Sequence, residues 1–212
     1  MRSGPPAPRT IRSARVVVLA SGAGSNLAAL LAAQLDDAWG ARVVGVVSDV
    51  PTAGALDLAR SAQVATAVVA PGDFVDRPAW DAAMAQAVAV FDPAWVVCAG
   101  FMRILGSPFL SRFDGRVLNT HPALLPAFPG AHAVRDALDH GARVTGCTVH
   151  LVDAGIDTGA ILAQRAVEVL DTDDEASLHE RIKVVERELL VDAVGRAVRS
   201  GITVDGNRAR LA

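Results

Sequence analysis

Apolar runs and polar breaks alternate regularly along the first half of the chain. Residues 15–20 and 42–47 are short apolar runs without alternation, which predicts two buried strands, and residues 65–69 and 95–99 predict a third and a fourth strand. Helices are predicted between these strands at residues 27–35, 54–62 and 78–91, because their apolar residues have helical spacing. Pro78 is a start signal for the last of these helices, and Pro93 is an end signal. Strands that alternate with helices predict an α/β fold, with a mostly parallel twisted sheet and helices on both faces.

The second half of the chain has a different pattern. A short strand at 116–118 leads into a proline-rich loop and a helix at 131–140. Residues 145–152 and 160–170 alternate, which predicts partly exposed strands of mixed direction at one side of the sheet. Thr172 and Glu175 have the spacing of a capping box, which would open a long helix that ends near Gly201. We expect one domain over residues 15–212, preceded by a basic, proline-rich and disordered extension over residues 1–14.

Composition narrows the functional classes. The chain has 212 residues, of which 51% are hydrophobic and 20% charged, and this is typical of a globular domain. The net charge of -3 argues against nucleic acid as the main partner, and no apolar run approaches the ~20 residues of a membrane span. Cys98 and Cys147 lie in apolar runs without metal-ligand spacing, so we expect no metal and a cytoplasmic location. The oligomeric state, a homodimer included, is left open.

A glycine turn joins the first strand to the first helix. A helix N-terminus offers free backbone N–H groups to an anion, and Gly24 lets the backbone approach it closely, while Ser25 and Asn26 add side-chain donors. We expect a mononucleotide-sized phosphate here. The dinucleotide fingerprint is incomplete because Leu27 replaces its third glycine, although Asp49 lies where a ribose-binding acid would lie. A nicotinamide enzyme and a plain turn are the alternatives.

Two polar side chains lie where the strand at 116–118 should end. Asn119 and His121 are two residues apart, so an extended chain points them the same way, and Pro122 favours that conformation for His121. An amide and an imidazole side by side are suited to stabilising a developing negative charge. The alternative is a capping Asn and a surface His.

A carboxylate could complete this pair, but spacing does not identify it. The loop at 152–159 contains Asp153 and Asp157, and nothing in the pattern connects either one to His121. Among the remaining candidates, we interpret Cys98, Cys147 and His150 as core packing. We interpret the other histidines as surface residues: His132, His140 and His179.

Four blocks together resemble a known family. They are Ala-Ser-Gly-Ala-Gly-Ser-Asn-Leu at 20–27, Ala-Gly-Phe-Met-Arg-Ile-Leu at 99–105, Asn-Thr-His-Pro-Ala-Leu-Leu-Pro at 119–126 and Thr-Val-His-Leu-Val-Asp-Ala-Gly-Ile-Asp-Thr-Gly at 148–159. In order and spacing they resemble the folate-dependent formyltransferases, most closely those of purine biosynthesis, from residue 15 to about residue 201. The resemblance implies a Rossmann-like formyltransferase fold. It also implies transfer of a formyl group from 10-formyltetrahydrofolate to the amine of glycinamide ribonucleotide, with these small molecules as partners.

The resemblance also implies residue roles. Asn119 and His121 would contact the formyl oxygen, with His121 as the acid, and Asp157 would support a protonated His121 and relay protons through water. The ribonucleotide would bind Gly24, Ser25, Asn26 and Glu186, although a solvated helix residue is the alternative for Glu186. The folate would contact Asn119, Arg77 and two further segments. The first segment is Met102, Arg103, Ile104 and Leu105, and the second is Val152, Asp153, Ala154, Gly155, Ile156 and Asp157.

The chain departs from the family pattern at two places. Ala123 lies where serine is the commonest residue of the family motif. Asp49 replaces the usual asparagine after the second strand, which leaves the detail of that loop open. A formyltetrahydrofolate hydrolase and a non-catalytic folate- or nucleotide-binding module are the alternative functions. The methionyl-tRNA enzyme would need an RNA-binding domain and a basic surface, and the phosphate turn argues against a sugar-amine formyltransferase.

Overall fold

The computed structural model describes residues 13–206 and 208–211, and the strands of that part form one nine-stranded sheet. In chain order the strands are β1 (Ala14–Leu19), β2 (Ala41–Ser48), β3 (Ala65–Val68), β4 (Trp95–Cys98), β5 (Val117–His121), β6 (Val144–Leu151), β7 (Ile161–Glu168), β8 (Ile202–Asp205) and β9 (Arg208–Leu211). Across the sheet they lie in the order β3-β2-β1-β4-β5-β6-β7-β9-β8. The strands from β1 to β5 are all parallel, as predicted.

Alternate side chains of β1 enter two different cores, which explains its unbroken apolar run. Val16 and Val18 belong to one buried cluster, while Val17 and Leu19 belong to the cluster on the opposite face. A strand that is buried on both faces needs an apolar side chain at nearly every position.

Helices cover both faces of the sheet and provide the other half of each core. They are α1 (Ser25–Ala33), α2 (Gly54–Ser61), α3 (Arg77–Ala89), α4 (Ser107–Arg112), α5 (Ala133–Asp139) and α6 (Glu175–Ser200). On one face, Leu27 of α1 and Leu178 of α6 share a cluster. On the other face, Trp80 of α3 packs with Phe109 of α4. The predicted layer arrangement is confirmed.

The strands after β5 change direction, as the alternating pattern predicts. β6 runs antiparallel to both β5 and β7. This places Asn119 of β5 directly opposite His150 of β6.

Several local predictions need correction. The capping box is Asp174 with Ser177, not Thr172 with Glu175, because Asp174 accepts from the backbone N–H of Ser177 and Ser177 Oγ accepts from that of Asp174. The short helix α4 and the hairpin of β8 and β9 were not predicted. β1 begins at Ala14, one residue before the predicted start. Of the predicted extension, residues 1–12 lie outside the described part of the chain. Among the described helices, none combines the length and apolar character that crossing a bilayer requires.

Candidate active site

A cavity of about 590 Å³ opens where the carboxyl ends of β1, β4 and β5 meet. The carboxyl edge of parallel strands is the usual ligand site of such sheets. Its walls come from the glycine turn, the segment after β4, the loop after β6 and one face of α6. Asn119, His121 and Asp157 all line it, so the structure brings together the three residues to which a chemical role was given. A second, more open groove between α1 and α6 contains none of the predicted site residues.

Both ring nitrogens of His121 face oxygen atoms. Nε2 lies 2.8 Å from the carbonyl oxygen of Phe128, and Nδ1 lies 3.3 Å from Oδ2 of Asp157. A carbonyl oxygen only accepts, so Nε2 carries a proton, and Nδ1 can satisfy the carboxylate only if it carries one as well. This buried ring therefore has an acceptor oxygen on each side, a neutral carbonyl at Nε2 and a carboxylate at Nδ1.

Asn119 is fixed by its neighbour across the sheet. Its Nδ2 lies 3.1 Å from Nε2 of His150, and Nδ1 of His150 donates to the carbonyl oxygen of Leu151 at 2.8 Å. His150 is buried, but it belongs to this polar group and not only to the core, so its interpretation as core packing is wrong. Its position in register with Asn119 is the signal that could have identified it.

Asp157 is the carboxylate of the site. Partial burial raises its pKa, but the interaction with His150, the hydrogen bond from the Gly130 N–H (2.8 Å) and the nearby charge of His121 outweigh burial. The net result is a pKa below the usual value, so Asp157 is ionised at neutral pH.

Asp153, which spacing could not separate from Asp157, has a local structural role. Its Oδ1 accepts from the Gly155 N–H at 3.0 Å and from Thr158 Oγ1 at 2.7 Å. Such bonds from an Asp to its own loop are typical of a turn. The geometry therefore assigns the interaction with His121 to Asp157 alone.

The glycine turn forms the N-terminus of α1. Gly24 has φ +88°, and a Cβ there would lie 2.8 Å from Cα of Ala55, so only glycine fits. No side chain caps this helix, which leaves the N–H groups of its first turn directed to the cavity. The Asn26 side chain donates one of its two amide N–H groups to Oε2 of Glu186 at 3.1 Å, and its contact with the ribonucleotide stays a prediction.

Glu186 is buried, not a solvated helix residue. Only 6% of it is exposed, and its other oxygen, Oε1, accepts from Thr120 Oγ1 at 2.9 Å. Asn26 Oδ1 is buried without a hydrogen-bond partner in this structure. The carboxylate is thus held by α1 and β5 at the side of the cavity.

Comparison with known proteins places this geometry in a family. A family model described as formyl transferase matches residues 14–194. The chain belongs to the formyl transferase family. Phosphoribosylglycinamide formyltransferase of Mycobacterium tuberculosis H37Rv is 58% identical over 198 residues, which are 93% of this chain and 91% of the relative.

Solved structures of family members agree with this assignment. Glycinamide ribonucleotide transformylase 1 from Symbiobacterium toebii superposes with a TM-score of 0.92 at 40% identity and covers 94% of each chain. Phosphoribosylglycinamide formyltransferase from Brucella melitensis has a TM-score of 0.83 at 41% identity, and the match covers 91% of this chain and 99% of that one. The predicted Rossmann-like formyltransferase fold is confirmed.

The segment after β4 forms an apolar wall of this formyl transferase site. Met102 and Ile104 are largely exposed on that wall, while Leu105 is buried behind it. Arg103 also lines the cavity and donates from Nε to Oδ2 of Asp49 at 2.9 Å. The Asp49 side chain is only 1% exposed and does not line the cavity, so it is not available to a ribose, contrary to its role in the nicotinamide alternative.

Two of the predicted folate residues do not line the cavity. Arg77 donates to Asp81 Oδ2 at 3.0 Å and stacks over Trp80, at the start of α3. Ala154 lies on the loop after β6 but is not part of the cavity wall, unlike its neighbours Val152, Gly155 and Ile156. A folate contact of either residue stays a prediction.

One face of α6 contributes Glu186, which the resemblance had indicated, and two residues that the sequence did not identify, His179 and Lys183. His179, Lys183 and Glu186 recur at helical spacing and all line the cavity. His179 was interpreted as a surface residue, but it is half-buried, and burial is the largest cause of its lowered pKa. His132 and His140 are exposed, as expected. The signal for Lys183 was its uniqueness, because it is the single lysine of the chain.

Proposed function

We propose that this chain transfers the formyl group of 10-formyltetrahydrofolate to the amine of glycinamide ribonucleotide, a step of purine biosynthesis. The relatives named above support this activity, and the observation that carries it is the group Asn119, His121 and Asp157 on the cavity floor beside the glycine turn. One amide, one imidazole and one carboxylate meet the needs of acyl transfer to an amine.

The reaction needs no covalent enzyme intermediate. The amine nitrogen attacks the formyl carbon, and the carbonyl π electrons move to oxygen to give a tetrahedral oxyanion. Collapse of this species breaks the bond to N10 of the folate, which leaves as tetrahydrofolate after taking up a proton. The amine loses one proton, so the proton count balances.

His121 and Asn119 would stabilise the oxyanion. His121 would donate to the formyl oxygen, which would replace one of the two acceptors that its ring now faces, the carbonyl oxygen of Phe128 or the carboxylate of Asp157. Asn119 would donate with the amide proton that His150 does not use. Asp157 would balance the charge of His121 and accept the amine proton through water.

The ribonucleotide would bind in the 590 Å³ cavity, between the N-terminus of α1 and the face of α6 that carries Lys183 and Glu186. Its phosphate would lie on the backbone N–H groups of Gly24, Ser25 and Asn26, where the helix dipole is favourable. Lys183, on the wall of the same cavity, adds positive charge for that phosphate. Glu186 is an acceptor for ribose hydroxyls, since two hydrogen bonds hold it in place.

The folate would bind on the opposite side. Met102, Ile104 and Ile156 are exposed apolar side chains around the cavity, and they would cover the pterin ring. The backbone groups of Arg103 and Leu105 would recognise its polar edge. The net charge of -3 and the two unpaired thiols fit a protein that acts on small molecules in the cytoplasm.

The decisive experiment is a formyl-transfer assay with and without glycinamide ribonucleotide. Formylated ribonucleotide and tetrahydrofolate should appear in equal amounts, and folate turnover should stop when the amine is omitted. Folate turnover at the same rate without the amine would identify the hydrolase instead. Binding of both ligands without turnover would identify a non-catalytic module.

A further inference from the structure

A hydrogen-bonded network joins the ends of three neighbouring strands beside the cavity. Asp49 follows β2, Ser21 follows β1, and Gly100 to Arg103 follow β4, and these strands are adjacent in the sheet. The Asp49 side chain is only 1% exposed, and both of its oxygens are bonded. Oδ1 accepts from Ser21 Oγ at 2.6 Å, and Oδ2 accepts from Arg103 Nε at 2.9 Å.

Ser21 extends this network to the backbone of the same segment. Its Oγ accepts from the Met102 N–H, and its own N–H donates to the carbonyl oxygen of Gly100, both at 3.0 Å. The segment is thereby fixed at Gly100, Met102 and Arg103, although it has no regular secondary structure from residue 99 to residue 106. Asp49 orients the Ser21 hydroxyl, so the Met102 contact depends on Asp49 as well.

We infer that Asp49 is a positioning residue for the folate, acting through Ser21 and Arg103 on the apolar wall after β4. This inference rests on the proposed function, which assigns that wall to the pterin. The bond from Arg103 is charge-assisted and therefore stronger than a neutral one. It uses only Nε, so the end of the guanidinium group stays on the cavity wall, where the side chain is 49% exposed.

The phosphate turn has further anchors that do not involve Asp49. The N–H of Ala55 in α2 donates to the carbonyl oxygen of Gly22 at 3.1 Å, and Gly24 packs closely against Ala55. Loss of the Asp49 charge should therefore loosen the folate wall and leave the ribonucleotide side in place. A general loss of structure would affect both substrates together.

The test is Asp49→Asn, which keeps the size of the side chain and directs an amide at Arg103 or Ser21. We expect the KM for the folate to rise about tenfold or more, because the variant loses a hydrogen bond between two charged groups. The KM for the ribonucleotide should stay within about twofold of the parent's value. The matched control is Asp57→Asn, because Asp57 forms an exposed pair with Arg60 at 2.8 Å on α2, and neither KM should change. An unchanged folate KM in Asp49→Asn, or an equal rise of both KM values, would overturn the inference.

A mutant cycle separates this role from a structural one. Asp49→Asn should raise the folate KM by a smaller factor in an Arg103→Gln background, since part of the network is already lost. An equal factor in both backgrounds would contradict the inference. If Asp49→Asn does not fold, Ser21→Ala provides the same test, with the same rise expected in the folate KM alone.

Direct titration keeps this inference apart from the proposed function. Calorimetric binding of tetrahydrofolate to the parent and to Asp49→Asn requires no turnover. Weaker binding by the variant supports the role of Asp49 even if the parent transfers no formyl group, and equal affinity contradicts it.

Discussion

Asp157 adopts a backbone conformation that most residues avoid. Its φ is +55°, in the left-handed region, where Asp and Asn are the best tolerated non-glycine residues. The conformation directs its carboxylate to His121 and to the Gly130 N–H at the same time. A residue in such a conformation at a functional site is commonly maintained by the surrounding contacts.

Asp157→Asn is the sharpest change at this scale, because Asn fits the same backbone and removes only the charge. We expect kcat to fall about 10²–10⁴-fold, the usual loss for an acid–base group, with both KM values nearly unchanged. Steady-state kinetics with each substrate varied would measure this. Asp139→Asn, an exposed change at the end of α5, is the control and should keep the parent's kcat. A kcat near the parent's in Asp157→Asn would remove Asp157 from the mechanism.

At the scale of elements, β5 would serve both proposed substrates because its side chains alternate. Asn119 contacts His150 and His121 contacts Asp157, while Thr120 between them contacts Glu186 of α6. Asn26 of α1 reaches the same carboxylate, so three elements meet at one buried acid. A buried carboxylate is costly unless such partners stabilise it.

Thr120→Val tests this junction, since it replaces one hydroxyl by a methyl group of similar shape. We expect a loss of about 1.5–3 kcal/mol in the free energy of unfolding, the range for a hydrogen bond to a charged group. The KM for the ribonucleotide should rise while that for the folate stays constant. Urea denaturation and steady-state kinetics give the two measurements.

Thr120→Ser is the matched variant, because it keeps the hydroxyl, and it should recover most of both losses. An unchanged ribonucleotide KM in Thr120→Val would show that the Thr120 bond does not position Glu186 for that substrate.

The sequence predicted those elements whose pattern is long and strong. β1 and β2 were identified because both of their faces are buried, and α6 because its apolar stripe continues for about five turns. α4 has six residues, too few for periodicity, although Pro108 in its first turn was a start signal. The hairpin of β8 and β9 was missed, although Gly206 between its strands is a turn signal.

At the scale of the whole molecule, the site depends on contacts that spacing cannot show. Residues 31 positions apart pair across β5 and β6, and Asn26 meets Glu186 across 160 positions. The resemblance to the family assigned Asp157 and Glu186 correctly to the cavity, yet it did not identify His150, His179 or Lys183 as lining residues. Asp49 was noted as a departure and as a possible ribose-binding acid, but its contact with Arg103 was not predicted because the two residues are 54 positions apart.

Low pH should destabilise the fold, because it protonates carboxylates that accept hydrogen bonds in the folded state. The Arg181 guanidinium hydrogen-bonds Asp173 and lowers the pKa of that carboxyl from 3.8 to about 2, and the pKa of Asp157 is lowered too. Between these values the unfolded chain binds more protons than the folded one, so the stabilisation is complete above about pH 4 and is lost as the pH falls towards 2. Urea midpoints measured across this range should decrease with falling pH.

Asp173→Asn should make that decrease shallower, since this side chain no longer titrates, while Asp139→Asn should retain the parent's slope. An unchanged slope in Asp173→Asn would show that Asp173 does not contribute to the acid sensitivity.

Lys183 can be labelled selectively by an amine-directed reagent. It carries the single side-chain amine of the sequence, and it lies on the cavity wall with 31% of its side chain exposed. An amine-directed reagent therefore has one lysine to modify, and that lysine borders the proposed ribonucleotide site. Protection of Lys183 from labelling, followed by mass spectrometry, would report occupancy of the cavity without any need for turnover.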